Sequence, residues 1–446
     1  MKNFKVIFVP IGVPTFHLES ANDQFNKSVE MIKSITDCGI YPEAPLLSID
    51  DLKAFIKGQN PDLVILQNTT FANSAYASEV VREYDCPIVL WTLREPVIDG
   101  GRLRLNSLTG AYSAGNLFHH TGREKFEYIF GAPTEEVTKL KMTACIKAAE
   151  IKKDLRNLNM ASIGHTPQGF GFGRGLDAEL LKNFGINLIS IEARELINKA
   201  KAYKEEEYTD LLEEANKKMV GLCNTPKENV DKFVRVYKAY KDFVEQNNIK
   251  AIASRCWPDY FVEYGTPVCG ALAMLNENLV AASCEADLMG ALSMYIGMKL
   301  TGNHAFFGDP VSLDENKNTV TYWHCGTAAC SLAREDKGAE VGVHPNRKIG
   351  PTMEFGCKAA EHVTIFRIGR KPNGEYRFFI AKGEALDEPK QFLGTSVVVK
   401  TENNSLEVIE NSVKDGWEPH FAVVYGDVAK ELEILANLLN MEVCKY

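Results

Sequence analysis

The chain has 446 residues, 45% of them hydrophobic and 24% charged, with a formal net charge of −9. That length calls for two or three domains rather than one small core. The acidic balance argues against a nucleic-acid binder, whose footprint is a basic face, and no run approaches the roughly 18–20 apolar residues of a membrane helix.

The opening MKNFKVIFVPIGVPTF reads as a first strand rather than a secretion signal, because its short apolar run lacks a small-residue cleavage site. The 11 cysteines are odd in number and show no paired spacing. They fit reduced thiols in a cytoplasmic protein, not a disulfide framework.

Residues 1–150 alternate strands and helices. FKVIFVPIG, PDLVILQNT and CPIVLWTL are apolar strands, separated by NDQFNKSVEMIKSITDCGI, SIDDLKAFIKGQ and ASEVVREYD with helical periodicity. Ser48 is an expected helix N-cap, with Asp51 in the first turn. The alternation predicts a doubly wound parallel sheet, with ligands beyond the C-terminal strand ends. His17 stands past the first of these ends. No G-x-G-x-x-G follows that strand, so a dinucleotide site is not expected. The Gly- and Asn-rich GGRLRLNSLTGAYSAGNLFHHTGREK ends in adjacent His119 and His120; by itself it reads equally as a surface loop leading into a helix.

Residues 151–300 read as a second α/β domain. NMASIGHT, INLISIEA, IKAIASRCW and LVAASCEAD are its strands, and FGFGRGLDAELLKNFG is a loop and a helix stopping at Gly185. Thr209–Met219 and Lys227–Glu245 are amphipathic helices with solvated Lys/Glu faces. The Gly-rich loop could cradle an anion but lacks the Lys-Ser/Thr of a phosphate loop. One strand end carries Arg255, Trp257 and Asp259, and the next ends at Glu285.

Residues 301–446 change character. TVTYWHCGT, EHVTIFRIGR, YRFFIAKGEAL and TSVVVKT alternate apolar and polar residues, KPNGEY is a hairpin turn, and DVAKELEILANLLN is a closing helix. The expected fold is therefore α/β: two doubly wound parallel-sheet domains followed by a β-rich, antiparallel, barrel-like C-terminal domain.

Glu285, Asp309, His324 and His420 are the candidate metal ligands. Carboxylates suit hard cations, and imidazole shifts the preference toward transition ions of the manganese type. The bland reading of the same residues is a helix-start charge at Glu285 and an ordinary turn at Asp309-Pro310.

CEADLMGALSMYIGMKLTG followed by FFGD, HCG at His324–Gly326, and EPHFAVVYGD near the end resemble the L-fucose isomerase and L-arabinose isomerase superfamily. The resemblance implies two α/β domains and a β-rich third domain. It also implies a manganese ion held by Glu285, Asp309 and His420, with His324 either at the metal or at the substrate. The reaction would be an aldose–ketose isomerisation through a cis-enediolate, with Glu285 and Asp309 as the acid–base pair. His120, or His119 in its stead, matches a family histidine that enters a neighbouring subunit's site. The chain would then be a homo-oligomer, a hexamer or a trimer.

A deoxyhexose or pentose such as L-fucose or L-arabinose is the first expectation for substrate. Sulfoquinovose, taken by a short fucose-isomerase-like branch, is the second; His17, Arg174, Arg255, Trp257 and Arg347-Lys348 are candidates to touch sugar or sulfonate. A non-catalytic sugar-binding protein on the same scaffold is the remoter alternative.

Overall fold

The structure is a computed structural model and describes residues 4–446. The chain divides into two compact units. The first takes residues through Asp154 together with Ile434–Asn440; the second takes Leu155–Glu433 and Met441–Tyr446.

The first unit is built on five parallel strands: β1 (Val6–Ile11), β2 (Gly39–Ile40), β3 (Leu63–Asn68), β4 (Ile88–Thr92) and β5 (Glu127–Phe130), in the order β2-β1-β3-β4-β5. β1, β3 and β4 are buried along their whole length, which explains why they read as continuous apolar runs. Ser48 caps the helix Ile49–Ile56 as expected, accepting from the Asp51 amide at 3.1 Å.

The second unit contains two sheets. β6 (Asn159–Ile163), β7 (Asn187–Ile191), β8 (Ile249–Ser254) and β9 (Ala281–Cys284) form a parallel sheet in the order β7-β6-β8-β9. The helix Asp177–Phe184 stops at Gly185, whose φ of +81° is the left-handed turn that glycine tolerates best. After β10 (Ala305–Asp314) and β11 (Thr319–His324), a small ribbon of β12 (Val341–Gly342) and β13 (Thr352–Met353) precedes β14 (Ala360–Arg370), β15 (Tyr376–Ala385), β16 (Thr395–Thr401), β17 (Phe421–Tyr425) and β18 (Glu442–Lys445). The antiparallel ring β14-β17-β10-β11-β16-β15 closes through β14–β15 pairing into a six-stranded barrel, and β18 adds to β15 in parallel. Closure leaves the ring without free edges.

Four of the six barrel strands are legible in the sequence. AFFGDPVSLD (β10) and FAVVY (β17) were not read as strands, because Gly308, Pro310 and the buried run of β17 carry no clean alternation. Asp309 accordingly lies inside β10, paired with Trp323, and is not a turn residue.

The helix Leu288–Thr301 is buried on nearly every side and packs on β8 and β9 as well as on β10, β14 and β17. A helix that is apolar all round belongs in an interior. It approaches the barrel closely because Gly297 has no side chain: a Cβ there would meet Val424 Cγ2 at 2.3 Å.

A candidate metal centre

β9 delivers the first candidate ligand. Its last residue, Cys284, is followed by Glu285 and Ala286 at φ +60° and +55°. Two consecutive non-glycine residues in the left-handed region cost on the order of 1–2 kcal/mol each. The turn is held by the Ala286 amide on the Ser254 carbonyl at 3.0 Å and the Asp287 amide on that of Cys284 at 3.2 Å. It swings Glu285 off the C-terminal strand end, where open α/β sheets put their ligands. Glu285 does not start the helix, as the bland reading supposed. Asp287 does, accepting from the Gly290 amide at 2.9 Å.

The barrel delivers the rest through its register. Gly308 pairs with Phe421 and Asp309 with Trp323. Asp309, His420 and His324 therefore come from three adjacent strands at one barrel end. His420 Nε2 lies 3.1 Å from Glu285 Oε2 and 3.4 Å from Asp309 Oδ1. Donor atoms of Glu285, His324 and His420 all lie within 4.8 Å of one another. His420 is 1% exposed, while the Glu285 and Asp309 side chains keep 18% and 29% of their surface open. Burial raises the Asp309 carboxyl above its ordinary value, against the pull of His420.

His420 is oriented from behind. Its Nδ1 bonds Asp287 Oδ2 at 2.9 Å, and Asp287 in turn takes Nη2 of the fully buried Arg367 at 3.1 Å on its other oxygen. Arg367 Nη1 also bonds Asp287 and donates to the His420 carbonyl at 3.1 Å. Burial opposes the Asp287 carboxylate, but Arg367 and His420 outweigh it and hold its pKa well below the usual range. An ionised Asp287 keeps a proton on Nδ1, so that Nε2 is the nitrogen that faces Glu285 and Asp309.

Three acceptors then meet with nothing between them but a proton or a cation. Octahedral bonds of about 2.0–2.1 Å at right angles would span an edge of about 2.9 Å, a little under the 3.1 and 3.4 Å separations seen. The donor set of two carboxylates and one or two imidazoles fits a divalent transition ion.

The other candidates divide. Arg174 lies in the second unit, in a single turn of 3-10 helix and loop that reaches the metal centre through Phe170 and Phe172, whose rings stand 6.5 and 5.5 Å from that of His420. Its Nε donates to Thr166 Oγ1 at 2.7 Å, a neutral partner. Arg174 and Phe172 line a cleft of about 430 Å³ with Glu179, Arg370 and Glu418. Arg255 is engaged by Asp259 at 2.8 Å and by the Trp257 carbonyl. Trp257 and Phe261 each lie 5.9 Å from the exposed Arg347 guanidinium.

In the first unit, His17 caps the helix Leu18–Lys33, its Nδ1 on Ser20 Oγ at 2.8 Å. His119 and His120 end the helix Ser107–His120, both exposed. Their helix borders an apolar cleft of about 590 Å³ that includes Leu108, Tyr112, Phe126 and Tyr128.

Sequence reasoning gave no role to Asp287 or Arg367. Asp287 stood in the quoted E-x-D pattern; the signal for Arg367 was a lone charge inside the apolar run of β14.

Residues 302–446 match the L-fucose isomerase C-terminal domain. The chain is 60% identical over 446 residues, the whole of both chains, to a sulfoquinovose isomerase of Clostridium sp. (strain MSTE9). It is 39% identical over 450 residues, again the whole of both, to one of Priestia aryabhattai. It is 36% identical over 441 residues, 98% of each chain, to one of Alkalicoccus urumqiensis.

Proposed function

Since this chain belongs to the fucose-isomerase-like family, in the branch that includes the sulfoquinovose isomerases, and is an aldose–ketose isomerase, we propose that it interconverts sulfoquinovose and sulfofructose. The observation that carries the substrate is full-length identity of 60% to a relative of that name. The expectation that ranked L-fucose or L-arabinose first thus gives way to its alternative.

We assign Glu285, Asp309 and His420 as ligands of a divalent ion, with manganese as its identity, and His324 as a substrate contact beside them. A divalent ion there supplies the positive charge that an enediolate needs, worth several kcal/mol. Glu285 and Asp309 are the proton-transfer pair, one taking the proton from one carbon of the sugar and returning it to its neighbour. Asp287 and Arg367 fix His420, so that its Nε2 faces the reacting end. Phe170 and Phe172 cover His420 and exclude water from it.

At the far end of the sugar, Arg174 is our choice for the sulfonate. It lies beside Phe172 in the open cleft and has a neutral partner, whereas Arg255 and Arg370 are each held by a carboxylate. His17, Trp257 and His120 are further substrate contacts in this reading. His120 is supplied by a neighbouring subunit of a homo-oligomer, a reading that the exposed apolar cleft beside its helix supports. The compartment is the cytoplasm, where the eleven free cysteines stay reduced.

The test is ketose formation from sulfoquinovose, L-fucose, L-arabinose and D-arabinose, with manganese and again after EDTA. Metal-dependent turnover of sulfoquinovose well above the neutral sugars is the expected result; preference for a neutral sugar would overturn the substrate. Glu285→Gln and Asp309→Asn should each lower kcat by roughly 10²-fold or more. Arg174→Met should raise KM for sulfoquinovose about tenfold or more with kcat nearly kept, as loss of uniform binding does.

A further inference from the structure

A second group of ligand-type side chains stands beside the metal centre and has no part in the chemistry above. Cys269 is the first residue of the helix Cys269–Glu277, Cys284 the last of β9, and Cys325 the residue after β11. They are 0%, 0% and 8% exposed, and their three sulfurs lie within 4.8 Å of one another. The Cys269 and Cys325 sulfurs are 3.7 Å apart. Cys325 Sγ also lies 3.4 Å from His324 Nδ1, and the buried Cys256 thiol neighbours that of Cys284.

Buried cysteines ordinarily serve as small apolar packing groups. Packing alone does not require three elements distant in sequence to aim their sulfurs at one spot. Two of the separations are those of a coordination polyhedron. Zinc–thiolate bonds of about 2.3 Å in a tetrahedron set sulfur–sulfur edges of about 3.8 Å, and a mixed sulfur–imidazole edge is a few tenths shorter. The 3.7 and 3.4 Å separations match both edges.

We propose that Cys269, Cys284 and Cys325 form a second metal site, for a thiophilic ion of the zinc class, distinct from the carboxylate–imidazole centre. The fourth position falls to His324 Nδ1 or the Cys256 thiol. The thiols lose their protons to solvent as the ion binds. Softness keeps the two sites apart: thiolates select zinc-class ions, and carboxylates the harder manganese type. Cys284 precedes Glu285 and Cys325 follows His324 in the chain. An ion on the thiolates therefore pins the backbone on both sides of the other centre.

The test uses cobalt(II) as the probe, with the full-length chain expressed in cobalt-supplemented medium so that the buried site fills during folding. The expected result is a thiolate-to-cobalt charge-transfer band with strong tetrahedral visible absorption, and more than one cobalt per chain. Cys269→Ser should remove that band and one equivalent of metal, while His420→Ala should lose metal but keep the band. Wild-type protein that binds cobalt without the charge-transfer band would overturn the proposal. So would a band that survives in both Cys269→Ser and Cys284→Ala. If those variants fail to fold, the wild-type spectrum alone decides. The readout does not depend on which sugar the enzyme takes.

Discussion

In our reading the chemistry turns on His420, and its behaviour follows from what stands on either side of it. Burial works against an imidazolium, but Asp287 and Glu285 hold one and push its pKa up to about 10 in the metal-free protein. A raised histidine pKa contributes stability that is fully present below the unfolded value of about 6.5 and is lost as pH rises through the folded one. Metal-free enzyme should therefore lose thermal stability between about pH 7 and 10, and manganese-loaded enzyme should not, since the ion replaces that proton. For the same reason the apparent Kd for manganese should fall by about tenfold per pH unit across this window. Melting curves in EDTA and in manganese, and titration calorimetry at several pH values, check both. The Asp287–Arg367 pair behind His420 is wholly buried. Arg367→Met leaves the buried Asp287 carboxylate with His420 as its one cationic partner, and should cost roughly 3–5 kcal/mol in urea denaturation. Asp287→Asn, which spares the shape but not the charge, should weaken metal binding by about 10–100-fold.

Among the elements, the β9-to-helix turn stores the strain that aims Glu285. Ala286 sits there at φ +55° with its methyl 2% exposed. A β-branched side chain cannot adopt that backbone without further cost, so Ala286→Val should destabilise by about 2 kcal/mol or more. Ala286→Gly relieves the backbone but loses a buried methyl, and should stay within about 1 kcal/mol of wild type. Equal effects of the two substitutions would mean that the turn is not strained. The same turn shows why the sequence misled at this point. E-A-D before an apolar helix looks like a charged helix start, and only the backbone reveals that Asp287 takes the cap and frees Glu285 for the site. β10 misled in the opposite way: its Asp309-Pro310 read as an ordinary turn, yet both lie inside a strand of 10 residues.

On the scale of the whole molecule, our reading makes the active site a shared one, with His120 from one subunit acting beside Glu285 of another. Mixtures of inactive His120→Ala and Glu285→Gln chains, unfolded and refolded together, should then recover part of the wild-type turnover. Each variant refolded alone should not. Recovery absent from mixtures shown by sedimentation to be mixed oligomers would remove His120 from the shared site.

The sequence carries the fold class, because strand–helix alternation and the later two-residue alternation are local signals that survive without neighbours. It also marked Glu285, Asp309, His324 and His420, because their flanking motifs are contiguous stretches of chain. How these residues meet depends on contacts that no local stretch of chain contains. The register that sets Asp309 beside His420 depends on β10 and β17, strands more than a hundred residues apart. The Asp287–Arg367 brace and the three converging cysteines have the same cause. Each residue is unremarkable in its own segment, and its partners are brought to it by the packing of one buried helix between a parallel sheet and a barrel.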